Sequence, residues 1–376
     1  MNAAGLIFSN IHDQSVPQLT HNRTMASVPF GCRYRLIDFA LSNMVNSDIT
    51  KVGIITHDNY QSLLDHIGTG KDWDLARRSG GIKILPPFIT SYSNPEATKL
   101  YTTRLEALMG VMSFIRRCNE ENIVMSDCDA ICNIDITEAI KQHEETKADI
   151  TIVGARLSSG NHENNTSLIT LETDAEGKLL GVSRGRPAED AEVSTNIVIV
   201  KRNYLISALN EASSRGYSHF YMDLISKNMD KDNFYVYHHK GYYNIIGSLE
   251  AYFSCNMELL DPEKRRELFE APYAPIYTKV RNSAPTKYTE NAKVKNSYIA
   301  DGCIIDGTVE NSIIFRGVKV GKGAVIKNAI ILQDTYIGSD VMLNCVITDK
   351  NVVINDGRML SGHQTMPFFI GKGMRV

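Results

Sequence analysis

Two carboxylates, Asp127 and Asp129, stand just after an apolar run at residues 122–125. Two carboxylates with one residue between them are a common arrangement in divalent metal sites, because hard cations prefer oxygen ligands. Cys128 lies between them and Cys132 follows three residues later, but without a second cysteine pair or a nearby histidine, buried structural thiols are the favoured interpretation. The end of this run is therefore a candidate cation site.

Histidine and arginine side chains are the other candidates for chemistry. His12, His57 and His66 have no partner at the spacing of metal ligands or of an acid–base pair, which favours structural roles. Arg33 and Arg35 precede an amphipathic stretch. They are either solvated surface charges or ligands for a phosphate group.

The elements that must position these residues alternate short apolar runs with amphipathic stretches over the first ~250 residues. The predicted strands lie at residues 3–8, 51–56, 82–85, 122–125, 149–155, 195–200 and 234–238. The predicted helices lie at residues 35–46, 59–67, 105–118, 136–146, 201–212 and 248–260. This alternation predicts a doubly wound, mostly parallel α/β sheet of the Rossmann-like kind, whose ligands bind at the carboxyl ends of its strands.

The pattern changes after residue 260. Four prolines punctuate residues 261–287, which predicts a linker between an α/β domain at 1–260 and a second domain at 288–376. In the second domain Ile314, Val320, Ile326 and Leu332 recur every six residues, with glycines between them. A six-residue apolar repeat predicts a left-handed parallel β-helix, and is preferred to an ordinary all-β domain, whose strands would show period two.

Composition narrows the function classes. The net charge of -3 and the pI near 6.4 give no support for a nucleic-acid or membrane partner, because both surfaces attract a basic excess. No apolar run approaches the ~20 residues that span a bilayer, and the first residues do not resemble a signal peptide. Seven scattered cysteines favour reduced thiols, so a cytoplasmic location is predicted.

Three segments carry a resemblance to one family. Residues 28–43 (VPFGCRYRLIDFALSN) resemble the PFGGKYRLIDFxLSN block of ADP-glucose pyrophosphorylases, also called glucose-1-phosphate adenylyltransferases. Residues 62–67 (SLLDHI) and 347–352 (ITDKNV) resemble that family's SLxxHI and IIDKNV segments. The resemblance implies a nucleotidyltransferase fold and a reaction in which ATP and glucose 1-phosphate give ADP-glucose and pyrophosphate, assisted by Mg²⁺.

The segment that aligns with the family's phosphate-binding loop differs most from the family pattern. Where the family has GGxGxRLxPLT, residues 9–20 read SNIHDQSVPQLT and contain no glycine. Cβ atoms obstruct the close backbone approach to phosphate that glycine permits. Asp13 adds negative charge where the resemblance places the triphosphate.

The family's charged positions are also altered. Met25 stands where the resemblance expects a phosphate-binding lysine, and Arg186 stands for the lysine of a sugar-phosphate motif. Asp129 aligns with one metal carboxylate, whereas Ile245 occupies the position of the other. Loss of one preorganised charge-stabilising group commonly costs about 10²–10³ in rate. Little activity is therefore expected, with no firm cofactor and Mg²⁺ only if residual activity exists.

The resemblance as a whole implies a non-catalytic or barely active regulatory subunit of the D type, paired with a catalytic subunit as a heterotetramer. Arg33 and Arg35 would then contact a phosphorylated effector between the domains. Two alternatives stay open. One is an atypical but active sugar-phosphate nucleotidyltransferase, in which another group near Asp129 replaces the lost ligand. The other is a hexapeptide acyltransferase, which is disfavoured because the only C-terminal histidine, His363, lies beyond the last clear coil.

Overall fold

The computed structural model describes residues 2–87, 100–157, 168–188, 190–272 and 274–376. The strands of the N-terminal part are β1 (Ala3–Phe8), β2 (Pro29–Phe30), β3 (Tyr34–Arg35), β4 (Lys51–Ile55), β5 (Gly81–Leu85), β6 (Asn122–Asp127), β7 (Ala130–Cys132), β8 (Ile150–Ala155), β9 (Ile169–Thr173), β10 (Leu179–Arg184), β11 (Val193–Lys201), β12 (Phe234–His239) and β13 (Tyr243–Ile245). The α-helices are α1 (Pro17–Thr20), α2 (Leu36–Asn46), α3 (Gln61–Ile67), α4 (Arg104–Gly110), α5 (Met112–Arg117), α6 (Ile136–Glu145), α7 (Arg202–Arg215), α8 (Leu249–Glu258) and α9 (Pro262–Phe269).

Nine of these strands form one mixed sheet. Its main path runs β10-β9-β11-β6-β1-β4-β5, and β12 joins through β8, which pairs with β11. Strands β6, β1, β4 and β5 are mutually parallel, whereas β11 runs antiparallel to β6. Phe8 pairs with Asp127, so the carboxyl ends of β1 and β6 meet at one edge. A ligand crevice is expected at such an edge.

Helices cover both faces of the sheet, which confirms the doubly wound prediction. One apolar core packs α2, α3 and α6 on the first face. A second core packs α4, α5 and α7 on the opposite face. Within the described helices, none is long and apolar enough to cross a membrane.

The C-terminal strands stack into three parallel sheets, as predicted for a left-handed β-helix. They are β14 (Lys287–Tyr288), β15 (Lys293–Lys295), β16 (Tyr298–Ile299), β17 (Ile304–Ile305), β18 (Thr308–Glu310), β19 (Ile313–Ile314), β20 (Lys319–Val320), β21 (Val325–Lys327), β22 (Ile330–Ile331), β23 (Tyr336–Ile337), β24 (Met342–Asn344), β25 (Val346–Thr348), β26 (Val353–Ile354), β27 (Met359–Ser361) and β28 (Phe368–Ile370). Each sheet takes every third strand, beginning with β14, β15 and β16. Inward-facing Ile305, Val320, Ile337 and Ile354 pair along the first sheet.

One position of the six-residue repeat was predicted wrongly. Ile331, not Leu332, joins the interior of the β-helix, because the repeat shortens by one residue between Ile326 and Ile331. Leu332 packs instead against the α/β domain. The repeat identifies the fold, but corners of unequal length shift its register.

The outer face of the third β-helix sheet packs against the α/β domain. Ile313, Ile330 and Ile347 share one apolar core with Phe30 and Tyr252. The segment predicted as a linker begins with α9. Its described residues after α9 form no helix or strand before Lys287.

A buried ion pair also joins the domains. Arg23 Nη2 donates to both carboxylate oxygens of Asp349 at 2.8 Å, and both side chains are only 3% exposed. The interface therefore contains an apolar core and a desolvated ion pair.

Candidate functional site

The candidate site lies where β1 and β6 end. Asp127 is the last residue of β6, Asp129 follows two residues later, and the loop after β1 carries His12 and Asp13. The side chain of Asp127 is fully buried and that of Asp129 is 3% exposed, whereas His12 is 26% exposed. This is the edge at which the sequence predicted a cation site.

An ionic cluster fills the base of this edge. His12 Nε2 lies 2.6 Å from Asp127 Oδ2 and 3.5 Å from Asp129 Oδ2. Arg104 Nη2 donates to the same Asp127 oxygen at 2.6 Å. The Arg104 guanidinium is enclosed by the Phe8, Phe220 and Tyr221 rings, whose centroids lie 5.5, 5.6 and 5.5 Å from its Cζ. The rings hold this cation against Asp127 by cation–π attraction.

Burial and mutual charge set the protonation of the cluster. Burial lowers the pKa of His12, but the Asp129 and Asp127 carboxylates outweigh it and raise that pKa to about 9. Burial raises the pKa of Asp129 to about 6, against the opposing charge of His12. Burial also disfavours ionised Asp127, yet Arg104 and His12 hold the pKa of Asp127 below its ordinary value. At neutral pH two cations therefore face two carboxylates, and the cluster neutralises itself.

The loop after β1 is held by its own side chains. Asp13 Oδ1 accepts a hydrogen bond from the Met25 backbone N–H at 2.6 Å, and Thr20 Oγ1 donates to the Asp13 and Val16 carbonyls at 2.6 and 2.9 Å. Burial raises the pKa of Asp13 to about 7. No residue from 9 to 20 has a positive φ, so this loop makes no use of the conformations that glycine opens.

The two replaced family positions lie in different surroundings. Ile245 lines the cleft beside Asp129, and the Ile246 N–H donates to the Asp129 carbonyl at 2.9 Å. Position 245 thus faces the cluster, but with an apolar side chain. Met25 is 1% exposed and packs in the core shared by the two domains.

Arg186 is not among the described residues that line this cleft. It is exposed and follows the end of β10. The lining consists of His12, Ser15, Asp129, Leu168, Ile169, Ser194, Asn196, Ile245 and Gly247.

Arg33 and Arg35 lie in a second pocket, between the α/β domain and the β-helix. Its described lining contains six cationic side chains and no carboxylate. The six are Arg33, Arg35, Lys279, Arg281, Arg316 and Lys350. Burial, reinforced by Arg35 and Arg23, lowers the pKa of Lys350 to about 7. Burial likewise lowers the pKa of Arg35 to about 10.

Sequence reasoning missed several members of both sites. His12 was assigned a structural role and Arg104 was not singled out, because their partner Asp127 is 115 and 23 residues away. Lys350 lies in the 347–352 segment that carried the family resemblance, yet its approach to Arg35 depends on domain packing. Only the spacing of Asp127 and Asp129 and the pair Arg33 and Arg35 indicated these two sites in the sequence.

The fold places the chain in the nucleotidyltransferase class of proteins that carry a hexapeptide β-helix. A doubly wound sheet presents carboxylates at the end of a central strand, and a hexapeptide β-helix packs against it. The model of the nucleotidyl transferase family matches residues 16–262 of this chain. The model of the GlmU-like, C-terminal hexapeptide family matches residues 282–365.

Curated relatives cover nearly the whole chain. The glycogen biosynthesis protein GlgD of Bacillus subtilis (strain 168) is 34% identical over 98% of this chain and 96% of its own. Glucose-1-phosphate adenylyltransferases of Fervidobacterium nodosum and Bacillus cytotoxicus are 32% and 29% identical, over 95% and 96% of this chain and 85% and 94% of theirs. The chain belongs to the glucose-1-phosphate adenylyltransferase family of nucleotidyl transferases.

Proposed function

We propose that this chain is a non-catalytic regulatory subunit of glucose-1-phosphate adenylyltransferase in glycogen biosynthesis. It would act on a catalytic subunit of the same fold. The proposal rests on which side chains surround Asp129 in the cleft. Ile245 faces Asp129 where the family resemblance places a second carboxylate, and His12 and Arg104 neutralise the acidic residues beside it.

The residues present do not fit the Mg²⁺ that the family implies. Mg²⁺ demands near-octahedral oxygen ligation and keeps several waters, usually held by one or two carboxylates and substrate phosphates. Here one carboxylate is paired with Arg104 and the other faces an imidazole and the Ile245 side chain. No Mg²⁺-dependent step is therefore assigned to this chain.

The cleft also lacks the side chains that would bind a triphosphate. Met25 places a buried thioether where the resemblance expects a lysine, and Asp13 holds the loop closed through the Met25 N–H. Arg104, the buried cation nearest the carboxylates, is committed to Asp127. A polyanion entering here would meet carboxylates whose charges are only just balanced, so it gains little.

The pocket between the domains supports a regulatory role. The six basic side chains, of which Arg316 also pairs with Asp301 at 2.8 Å, form a site suited to a phosphorylated small molecule, because charged donors bind phosphate oxygens strongly. We propose that Arg33 and Arg35 bind such an effector together with Lys350. Since Lys350 belongs to the β-helix and Arg35 to the α/β domain, a ligand here bridges the two domains.

The β-helix supports a partner surface. Ile304, Tyr336, Met342 and Met359 are 40%, 45%, 50% and 73% exposed on two sheets of the β-helix, and we call these four residues the apolar β-helix face. Lys319 lies between Ile304 and Tyr336 along the first sheet. Exposed apolar patches mark interaction sites, and assemblies of related chains pack equivalent surfaces. We propose that this face contacts the catalytic subunit in a heterotetramer. The seven buried cysteines form no disulfide, which supports a cytoplasmic location.

One observation favours the alternative of an atypical active nucleotidyltransferase. His12, Asp127 and Arg104 lie next to Asp129 and are groups that could replace a lost ligand and a lost cation. The two candidates differ in the activity of the isolated chain.

The test is a pyrophosphate-release assay on the purified chain with ATP, Mg²⁺ and glucose 1-phosphate. The regulatory proposal expects release at the background set by heat-denatured protein. Turnover within about 1–10³ s⁻¹, the usual enzyme range, would establish the alternative instead.

A further inference from the structure

We propose that His12, Asp127 and Asp129 form a binding site for a divalent transition-metal ion of the zinc class. This goes beyond the regulatory role and does not depend on it. The ion would be resident in the cleft at the ends of β1 and β6.

The three residues are spaced for a single ion. One ligand atom from each lies within 4.8 Å of the other two. Metal–ligand bonds of about 2.0–2.2 Å in a tetrahedron put neighbouring ligand atoms about 3.4 Å apart. His12 Nε2 and Asp129 Oδ2 are already 3.5 Å apart. His12 Nε2 contacts Asp127 Oδ2 at 2.6 Å, but Arg104 already donates to that oxygen, so the ion would take the unpartnered Asp127 Oδ1.

Unpartnered carboxylate oxygens are an independent observation that points to a ligand. Asp127 Oδ1 and Asp129 Oδ1 are buried and make no hydrogen bond. Buried polar atoms in proteins are nearly always paired, and leaving one unpaired is costly. Arg104 uses Asp127 Oδ2 and so leaves Oδ1 available. A bound ion would give both aspartates the partner that they lack.

The donor set selects the class of ion. One imidazole nitrogen and two carboxylates suit zinc and its neighbours, whereas Mg²⁺ prefers oxygen ligands alone. His12 would bind as neutral imidazole, so the ion takes over the charge that the imidazolium supplies. His12 is 26% exposed and Ser15 and Asn196 line the same cleft, which gives a path for entry and space for a water as fourth ligand.

The test uses Co²⁺ as a spectroscopic probe on the full chain after treatment with a chelator. We expect one equivalent of Co²⁺ to give saturable d–d absorption of a tetrahedral site. Zn²⁺ should displace it, and millimolar Mg²⁺ should not. His12→Ala and Asp129→Asn should each weaken Co²⁺ binding about 100-fold or more. His57→Ala, which alters a histidine paired with Asp58 at 3.3 Å, is the matched control and should bind as the parent does.

Circular dichroism and the Tm of each variant separate lost ligation from lost folding. His12→Gln is a second variant, because it keeps a polar side chain at the loop position. The proposal is overturned if the parent shows no saturable Co²⁺ spectrum, or if folded His12→Ala and His12→Gln both bind with parental affinity. Intense thiolate-to-cobalt charge transfer would also overturn it, because the ion would then be bound by cysteine.

Discussion

Single side chains decide what the site of this chain can bind. Ile245 faces Asp129 in the cleft, and Arg104 and His12 share one oxygen of Asp127. Under the proposed function, Arg104 and His12 occupy the carboxylate that Mg²⁺ would need, and Ile245 offers it no ligand atom. His12 and Arg104 together balance the charges of the two carboxylates in this buried cluster.

Met25→Lys tests whether one restored family residue can revive the site. Because Met25 packs in the core shared by the two domains, a lysine there would be an uncompensated buried charge costing about 3–5 kcal/mol. We expect pyrophosphate release to stay at background and the Tm to fall, with Met25→Leu as the size-matched control. Substantial activity in Met25→Lys would show that the other losses matter little.

Lys350 predicts a pH dependence of anion binding. Its folded pKa, lowered to about 7 by burial and by Arg35, lies below the unfolded value, so the free pocket loses this charge as pH rises through 7. Sulfate keeps two charges across this range and should bind more weakly as pH rises from 6.5 to 8.5, by up to about tenfold per pH unit. The other charged or titratable groups that line the pocket or act on Lys350 are Arg23, Cys32, Arg33, Tyr34, His66, Lys279, Arg281, Arg316 and Asp349.

Lys350→Met is the control for that titration. Isothermal calorimetry should show weaker sulfate binding at pH 6.5 and a flat profile above it. An unchanged pH profile in Lys350→Met would assign the proton to another group of the pocket.

Secondary-structure elements differ in how far their sequence predicts them. β1 was predicted with correct ends because all six of its residues are buried and apolar or small. β9 and β10 were missed because each has only one buried residue and polar residues occupy much of both strands. The predicted helix 105–118 is two helices, α4 and α5, which separate at Val111. Asp129 and Arg35 could be found from local spacing, but the contacts of His12, Arg104 and Lys350 arise only when distant segments meet.

The Arg23–Asp349 pair tests how firmly the β-helix is joined to the α/β domain. Asp349→Asn leaves Arg23 buried without a counter-charge, which should cost about 3–5 kcal/mol of the free energy of unfolding. Urea unfolding followed by circular dichroism measures the loss. Glu138→Gln breaks an exposed pair with Lys141 and should leave the unfolding midpoint unchanged. Equal effects of the two substitutions would contradict a buried interdomain ion pair.

At the scale of the whole molecule, the proposed regulatory role separates catalysis from assembly. The cleft of the α/β domain carries Ile245 beside Asp129, whereas the pocket between the domains and the apolar β-helix face both include residues of the β-helix. A regulatory subunit needs only the latter two. A ligand that bridges the domains can then bias the subunit interface, with the coupling of about 1–3 kcal/mol that is usual for allosteric systems.

The apolar β-helix face predicts which substitutions disrupt assembly. Tyr336→Lys and Met342→Lys place charges on exposed positions and should weaken association with a catalytic subunit at least tenfold without lowering the Tm. Leu180→Lys alters an apolar residue on β10 that is 60% exposed, and it is the matched control. Sizing chromatography of co-expressed chains measures the effect. If Leu180→Lys disrupts the complex and the β-helix variants do not, the partner surface lies on the α/β domain.

The most direct test of the regulatory role is a titration of a catalytic glucose-1-phosphate adenylyltransferase subunit with this chain, read out as pyrophosphate release. Without the catalytic subunit, pyrophosphate release by this chain should stay at background. With the partner present, turnover should rise to a plateau, or the partner's affinity for its activator should change by roughly 5- to 150-fold, the effect of a coupling of about 1–3 kcal/mol. Turnover by this chain alone, or a partner whose rate and activator response are unchanged by excess of this chain, would contradict the account.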